Sequence, residues 1–173
     1  TIRVAEALRE SLNIPVVTLT EALGPERLLQ AMRRAGMRPV IPGRATPGLA
    51  IALGGIGVTL EDLTTLYAAL ARGGTVLPLS TRPGERPQVT RLLSEAAAWQ
   101  TGQILAGITP PDGSPDGRIA WKTGTSYGHR DALALGWDGR YVAGVWMGRA
   151  DGTPEPDFRK QVALAFENLR AVL

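Results

Sequence analysis

The spacing of apolar residues changes near residue 118, and that change constrains the fold more than any other feature. Ahead of it apolar positions recur at a helical period, and from it to about residue 150 they alternate as strands require. In "TIRVAEALRESLN", Ile2, Ala5, Leu8 and Leu12 share one face, and Pro15 is predicted to end or kink that helix. "GPERLLQAMRRAGM" places Pro25 in a first helical turn, Leu28, Leu29 and Met32 on one face, and Gly36 just past the end. The clearest helix is "VTLEDLTTLYAALARGG". Thr59 caps it, Glu61 and Asp62 suit its first turn, Leu60, Leu63, Tyr67 and Leu70 form the stripe, and Gly73-Gly74 stop it. Prolines make a loop of Leu77 to Pro87, and Ser94 caps a further helix, "SEAAAWQTGQILAG". A turn-rich stretch, "ITPPDGSPDG", then leads into the alternating region.

"RIAWKTGTS", "DALALGW" and "RYVAGVWMG" read as three strands, the last two joined through Asp138-Gly139 as the centre of a type I′ hairpin. In the second strand Leu133, Leu135 and Trp137 fall on one face, and Ala132, Ala134 and Gly136 on the other. That pattern suits a sheet covered on both sides by helices. "DFRKQVALAFENLRAVL" closes the chain as an amphipathic helix bearing Val162, Ala165, Phe166 and Leu169. The expected class is therefore α+β in one domain: residues 1–117 mainly helical, 118–150 an antiparallel sheet, 157–173 a C-terminal helix.

Composition removes several functions. A chain of 173 residues can bury a core without a staple, and with no cysteine and one histidine it has no Cys/His zinc site and no cysteine nucleophile. No metal and no cofactor are expected. The net charge is only +3 and its arginines are dispersed, so nucleic acid is not an expected partner. The longest apolar stretch, "GLAIALGGIGV", is too short and glycine-rich to span a bilayer, and no signal peptide is visible, so a soluble chain is expected. Thr1 is not an initiator Met, which suggests a piece of something longer.

Of nineteen basic residues only Lys122 and Lys160 are lysines, and Lys122 stands inside the strand "WKTGTS". An unpaired ammonium is costly to desolvate, so a polar or anionic partner is expected beside it. Lys122 and Gly124 point to one face and Thr123 and Thr125 to the other. At a sheet edge such a strand could take an extended peptide, or it could be an ordinary edge protected by a lysine. A phosphate-binding loop is excluded, because Ile119, Ala120 and Trp121 precede the lysine where glycines are needed. In "RESLNIP", Ser11 and Asn13 stand two apart at a helix end, either as routine end residues or as a proton relay and carbonyl anchor.

Ser-x-Asn followed by Lys-Thr-Gly resembles two of the three motifs of the serine acyltransferases that include penicillin-binding proteins and class A β-lactamases. The similarity extends through "AEALRESLNIPVV", the stretch Ala52 to Gly74, and "KTGTSYGHRDALALGWDGRYVAGVWMGRADGTPEP", and is to the transpeptidase domain of class A penicillin-binding proteins. That resemblance implies a β-lactamase/transpeptidase-like fold and D,D-transpeptidation of peptidoglycan stem peptides ending in D-Ala-D-Ala, with β-lactams as substrate mimics. It implies catalytic roles for Ser11, Asn13, Lys122 and Thr125, and substrate contacts from Thr123, Gly124, Thr125 and Ser126. It also implies a place on the periplasmic side of the bacterial inner membrane. The third motif, Ser-x-x-Lys, is missing: none of Ser11, Ser80, Ser94, Ser114 and Ser126 is followed by lysine three residues on. The expectation is that a preceding portion of the same protein supplies the nucleophile and two further strands, and that this piece alone is inactive, with a bare sheet edge that invites dimerisation. The last fifteen or so residues depart from the family pattern. His129 is expected in a loop near the cleft mouth without a catalytic role, and Trp99, Trp121, Trp137 and Trp146 in core or cleft wall. Two alternatives stand beside the transpeptidase: a noncatalytic module binding peptide or protein, and a β-lactamase using a general base such as Glu61, Glu85 or Glu95.

Overall fold

Three short helices open the chain. The computed structural model describes residues 2–44, 48–80, 82–84, 88–110, 117–126 and 131–148, together with Lys160. Helix α1 is Val4–Arg9, α2 Asn13–Leu23 and α3 Pro25–Arg34. Pro15 does not end a helix as its position suggested. It stands third in α2, among the first four residues whose N–H groups have no intrahelical partner, so its missing donor costs nothing there. The break falls earlier, at Ser11. Helix α3 keeps the expected pattern: Pro25 opens it, Leu29 is buried, and Gly36 adopts a positive φ just beyond its end.

Helices α4, Leu60–Ala71, and α5, Glu95–Ala106, begin on the caps expected of them. The Thr59 hydroxyl accepts from the Asp62 N–H at 3.0 Å, and the Ser94 hydroxyl accepts from the Ala97 N–H at 3.2 Å. Between them a two-stranded ladder, β1 (Thr75–Val76) and β2 (Thr90–Arg91), flanks the predicted loop. Val76 joins Ala35, Met37 and Ala69 in a core against which Met32, Val58, Leu63, Leu66 and Leu92 pack.

Strands β3 (Ala120–Thr125), β4 (Asp131–Trp137) and β5 (Val142–Gly148) form an antiparallel sheet in the order β3-β4-β5. Lys122 pairs with Leu135, and Leu135 with Gly144, so these three share the sheet face on which α4 and α5 lie. A side chain at Gly144 would reach 2.6 Å from the Thr64 hydroxyl of α4, which is why the helix comes this close only to a glycine. Leu135 is buried beneath it, and Tyr67 meets Trp137 edge to face at 5.9 Å. Burial pushes the Tyr67 hydroxyl up to about 12.

The β4–β5 turn differs from its expected form. A type I′ turn needs positive φ at both central residues, yet only Gly139 has it, at 92°. Gly139 and Arg140 are central instead, Asp138 donates its N–H to the Tyr141 carbonyl, and the Asp138 carboxylate accepts from the N–H groups of Tyr141 at 2.8 Å and Arg140 at 2.9 Å. Those bonds hold the carboxyl below its ordinary value, the Tyr141 N–H contributing most. The expected C-terminal helix, apart from Lys160, lies outside the described residues, as do His129 and Glu85. Among the described residues no helix is long and apolar enough to cross a membrane.

Candidate active site

Helix α1 ends in a left-handed cap built without glycine. The Leu12 N–H donates to the Ala7 carbonyl at 2.9 Å and the Ser11 N–H to the Leu8 carbonyl at 3.3 Å, the paired bonds of a Schellman motif. The residue that must turn left-handed there is Ser11, at φ 56°, and it is the only non-glycine with positive φ among the described residues. A serine in that region carries roughly 1 kcal/mol or more of strain that glycine would not. Its hydroxyl caps neither helix. It accepts instead from the Lys122 ammonium at 2.8 Å, across 111 positions of sequence.

Lys122 reaches it from β3, which α5 covers, while the Arg9 guanidinium ties α1 to α5 through the Ile104 carbonyl at 3.2 Å. The ammonium also donates to the Thr123 carbonyl at 2.7 Å, leaving one of its three donors for a ligand. It pairs with no carboxylate among the described residues, and desolvation lowers its pKa from the ordinary 10.5. A half-buried cation with an open donor is suited to receive an anion.

The backbone of β3 supplies the rest. Ser126 donates its N–H inward, to the Asp131 carbonyl at 3.0 Å. Because inward and outward groups alternate along a strand, the N–H and C=O of Thr125 and of Thr123 face the other edge, which no described strand covers. Thr123, Gly124 and Thr125 are exposed, and nothing lies within 4 Å of where a Gly124 side chain would be. The edge can thus take an extended chain, with an outward N–H at Thr125 to meet a developing oxyanion. The Ser126 hydroxyl is already engaged, accepting from the Asp131 N–H at 3.0 Å. Asn13, the first residue of α2, is exposed and its side chain makes no hydrogen bond to a described residue, so the geometry joins Ser11 to Lys122 and leaves the Asn13 amide unattached. Glu61 and Glu95 sit in the first turns of α4 and α5, and Glu95 pairs with Arg91 at 3.5 Å. A cleft of about 300 Å³ lies at the opposite end of β3, lined among others by Trp99, Arg118, Trp137 and Asp138, and contains none of the predicted site residues.

Residues 1–155 match the family model described as the penicillin binding protein transpeptidase domain. This chain belongs to that family. It is 43% identical over 159 residues to penicillin-binding protein 1C of Escherichia coli, covering 88% of this chain and 20% of that protein. To penicillin-binding protein 1B of Vibrio cholerae it is 28% identical over 166 residues, covering 86% of this chain and 21% of the relative. The chain spans about a fifth of the length of these curated relatives. The fold is that of solved penicillin-binding proteins. Penicillin-binding protein 1A of Haemophilus influenzae superposes with a TM-score of 0.71 at 17% identity, over 87% of this chain and 30% of that one. The PonA1 protein of Mycobacterium tuberculosis in complex with penicillin V superposes with a TM-score of 0.69 at 23% identity, over 88% of this chain and 49% of that one. Ser11-Leu12-Asn13 and Lys122-Thr123-Gly124 both lie inside the matched transpeptidase stretch. Sequence reasoning placed Trp146 in core or cleft wall but missed Asp131 and the bond between the two; an acidic residue opening an otherwise apolar strand was the available signal.

Proposed function

We propose that this chain carries the proton-relay and carboxylate-binding half of a peptidoglycan D,D-transpeptidase. The observation that supports it is the 2.8 Å contact between Ser11 and Lys122, two residues that share no element and stand 111 positions apart. In the complete protein a serine from the preceding portion attacks the carbonyl between the two D-alanines, the C–N bond breaks, and D-Ala leaves as the amine. An amine of a second stem peptide then displaces the serine from the ester and forms the cross-link.

Ser11 passes the proton from the attacking hydroxyl toward the leaving amine, and Lys122 polarises it. The Lys122 ammonium and the hydroxyls of Thr123 and Thr125 hold the terminal carboxylate, and the Thr125 N–H is one oxyanion donor. Gly124 lets the substrate backbone approach, and Asn13 holds the substrate amide together with the lysine that activates the nucleophile. β-Lactams acylate the same serine. The protein works on the periplasmic face of the inner membrane, where its substrate is. Alone, this chain lacks the nucleophile and forms no acyl-enzyme, and the sheet edge left bare at β5, the one the substrate does not take, pairs chain to chain until the preceding strands cover it.

The test is labelling of the full-length protein with fluorescent penicillin, with the adduct mapped by mass spectrometry. A stable stoichiometric adduct on a Ser-x-x-Lys serine is the expected result. No adduct would leave a binding module, and rapid turnover of a chromogenic cephalosporin would make the protein a β-lactamase.

A further inference from the structure

We propose that Asp131 is a positioning residue for the substrate-facing edge of β3, acting through Ser126 and Trp146; this rests on the transpeptidase reading above. Three hydrogen bonds run across the sheet at the end where the Lys-Thr-Gly strand finishes. The Asp131 N–H donates to the Ser126 hydroxyl at 3.0 Å, the Asp131 carbonyl accepts the Ser126 N–H at 3.0 Å, and one Asp131 carboxylate oxygen accepts from the Trp146 indole at 2.7 Å. Trp146 belongs to β5, paired with Leu133 and so diagonal to Asp131 on the same face. One residue therefore ties the last turn of β3 to the far strand of the sheet, and α4 packs on that strand.

The consequence falls on Thr125. Side chains and hydrogen-bonding directions both alternate along a strand, so fixing the Ser126 N–H inward fixes the Thr125 N–H and C=O outward, toward the open edge. Were the end of β3 to fray, the proposed oxyanion donor would lose its direction while Lys122 and Ser11, three and more positions away, kept theirs. Ser126, which the motif placed among the substrate contacts, is reassigned by this geometry to the clamp. A carboxylate is well matched to the Trp146 indole, because an ionised acceptor makes a short, strong bond to an N–H donor. An apolar residue opening β4 would keep the ladder but drop the link to β5.

Displacements of about 1 Å at a reacting centre cost up to about 10²-fold in rate. In the full-length protein, Asp131→Ala and Ser126→Ala should each slow the penicillin acylation step about tenfold while initial noncovalent binding changes less than threefold. Asp131→Asn, whose amide oxygen can still accept from Trp146, should return to within about threefold of wild type. Trp146→Phe removes the donor and keeps the ring, and should repeat the Asp131→Ala loss even if that variant folds poorly. Wild-type acylation in both Asp131→Ala and Trp146→Phe overturns the proposal, as does an Asn variant as slow as the Ala one. Lys122→Ala runs alongside: if it too acylates normally, the site itself is misassigned, whereas its loss with Asp131→Ala intact rejects only the clamp.

Discussion

Three hydroxyls at helix ends do two different jobs. Thr59 and Ser94 precede α4 and α5, lie in extended backbone and cap the N–H groups that the helices leave open. Ser11 follows α1, holds a left-handed backbone that glycine would hold with less strain, caps nothing and bonds to Lys122 from another part of the fold. The first two follow the rules for local stability, and the third breaks one. A violation that the surrounding bonds maintain marks the place where the fold serves a site.

The largest effect separates the two classes by activity. Lys122→Ala in the full-length protein should cut penicillin acylation by a factor on the order of 10² to 10³, the worth of one such electrostatic group. Unchanged acylation would place Lys122 with the structural residues.

The pH dependence comes next. Desolvation lowers the Lys122 pKa below 10.5, so the neutral amine appears earlier in the folded protein than in the unfolded chain. Between the lowered value and 10.5 the unfolded state binds more protons, and this group's contribution to stability therefore rises with pH across that window. Activity should run the other way, since the ammonium proposed to hold the carboxylate is lost. Acylation should show an alkaline limb falling below pH 10.5, and Lys122→Arg, which stays charged, should remove that limb whatever its effect on the maximum. A limb that persists unchanged in the arginine variant belongs to another group.

Cap removal gives the mirror image. Thr59→Ala and Ser94→Ala should each cost about 1 kcal/mol in urea denaturation and leave acylation within about twofold. Loss of acylation without loss of stability in either would erase the contrast with Ser11. The smallest effect lies farthest from the site. Asp138→Asn keeps the side-chain acceptor for Arg140 and Tyr141 but not the charge, so its stability should fall slightly below wild type near neutral pH. Because the Asp138 pKa is depressed, wild type should lose the contribution of the charge as pH falls through the lowered value, and the difference between the two should close there.

Those same residues mark how far the sequence could be read. The caps at Thr59 and Ser94, Pro25 at the start of α3, and the three strands were legible because each is decided by neighbours within a turn or by a period of two. The approach of Ser11 to Lys122 was suggested by motif order, since no local rule brings together residues 111 apart. The start of α2 was missed because Pro15 reads as a breaker unless the helix is known to begin just before it. The hairpin centre shifted by one residue because the Asp138 side chain, with its two backbone N–H bonds, outweighs the Asp-Gly preference. The Asp131 to Trp146 link was illegible because it needs the register of two strands at once.

The central claim is that Ser11 is kept for its hydroxyl at a backbone cost, and Ser11→Gly tests it most directly. Set against Ser11→Ala, which loses the same hydroxyl bond to Lys122 and keeps the left-handed strain, Ser11→Gly should be more stable in urea by up to about 1 kcal/mol, while acylation in both falls on the order of 10²-fold. A glycine variant that acylates like wild type, or one no more stable than the alanine variant, would contradict the account.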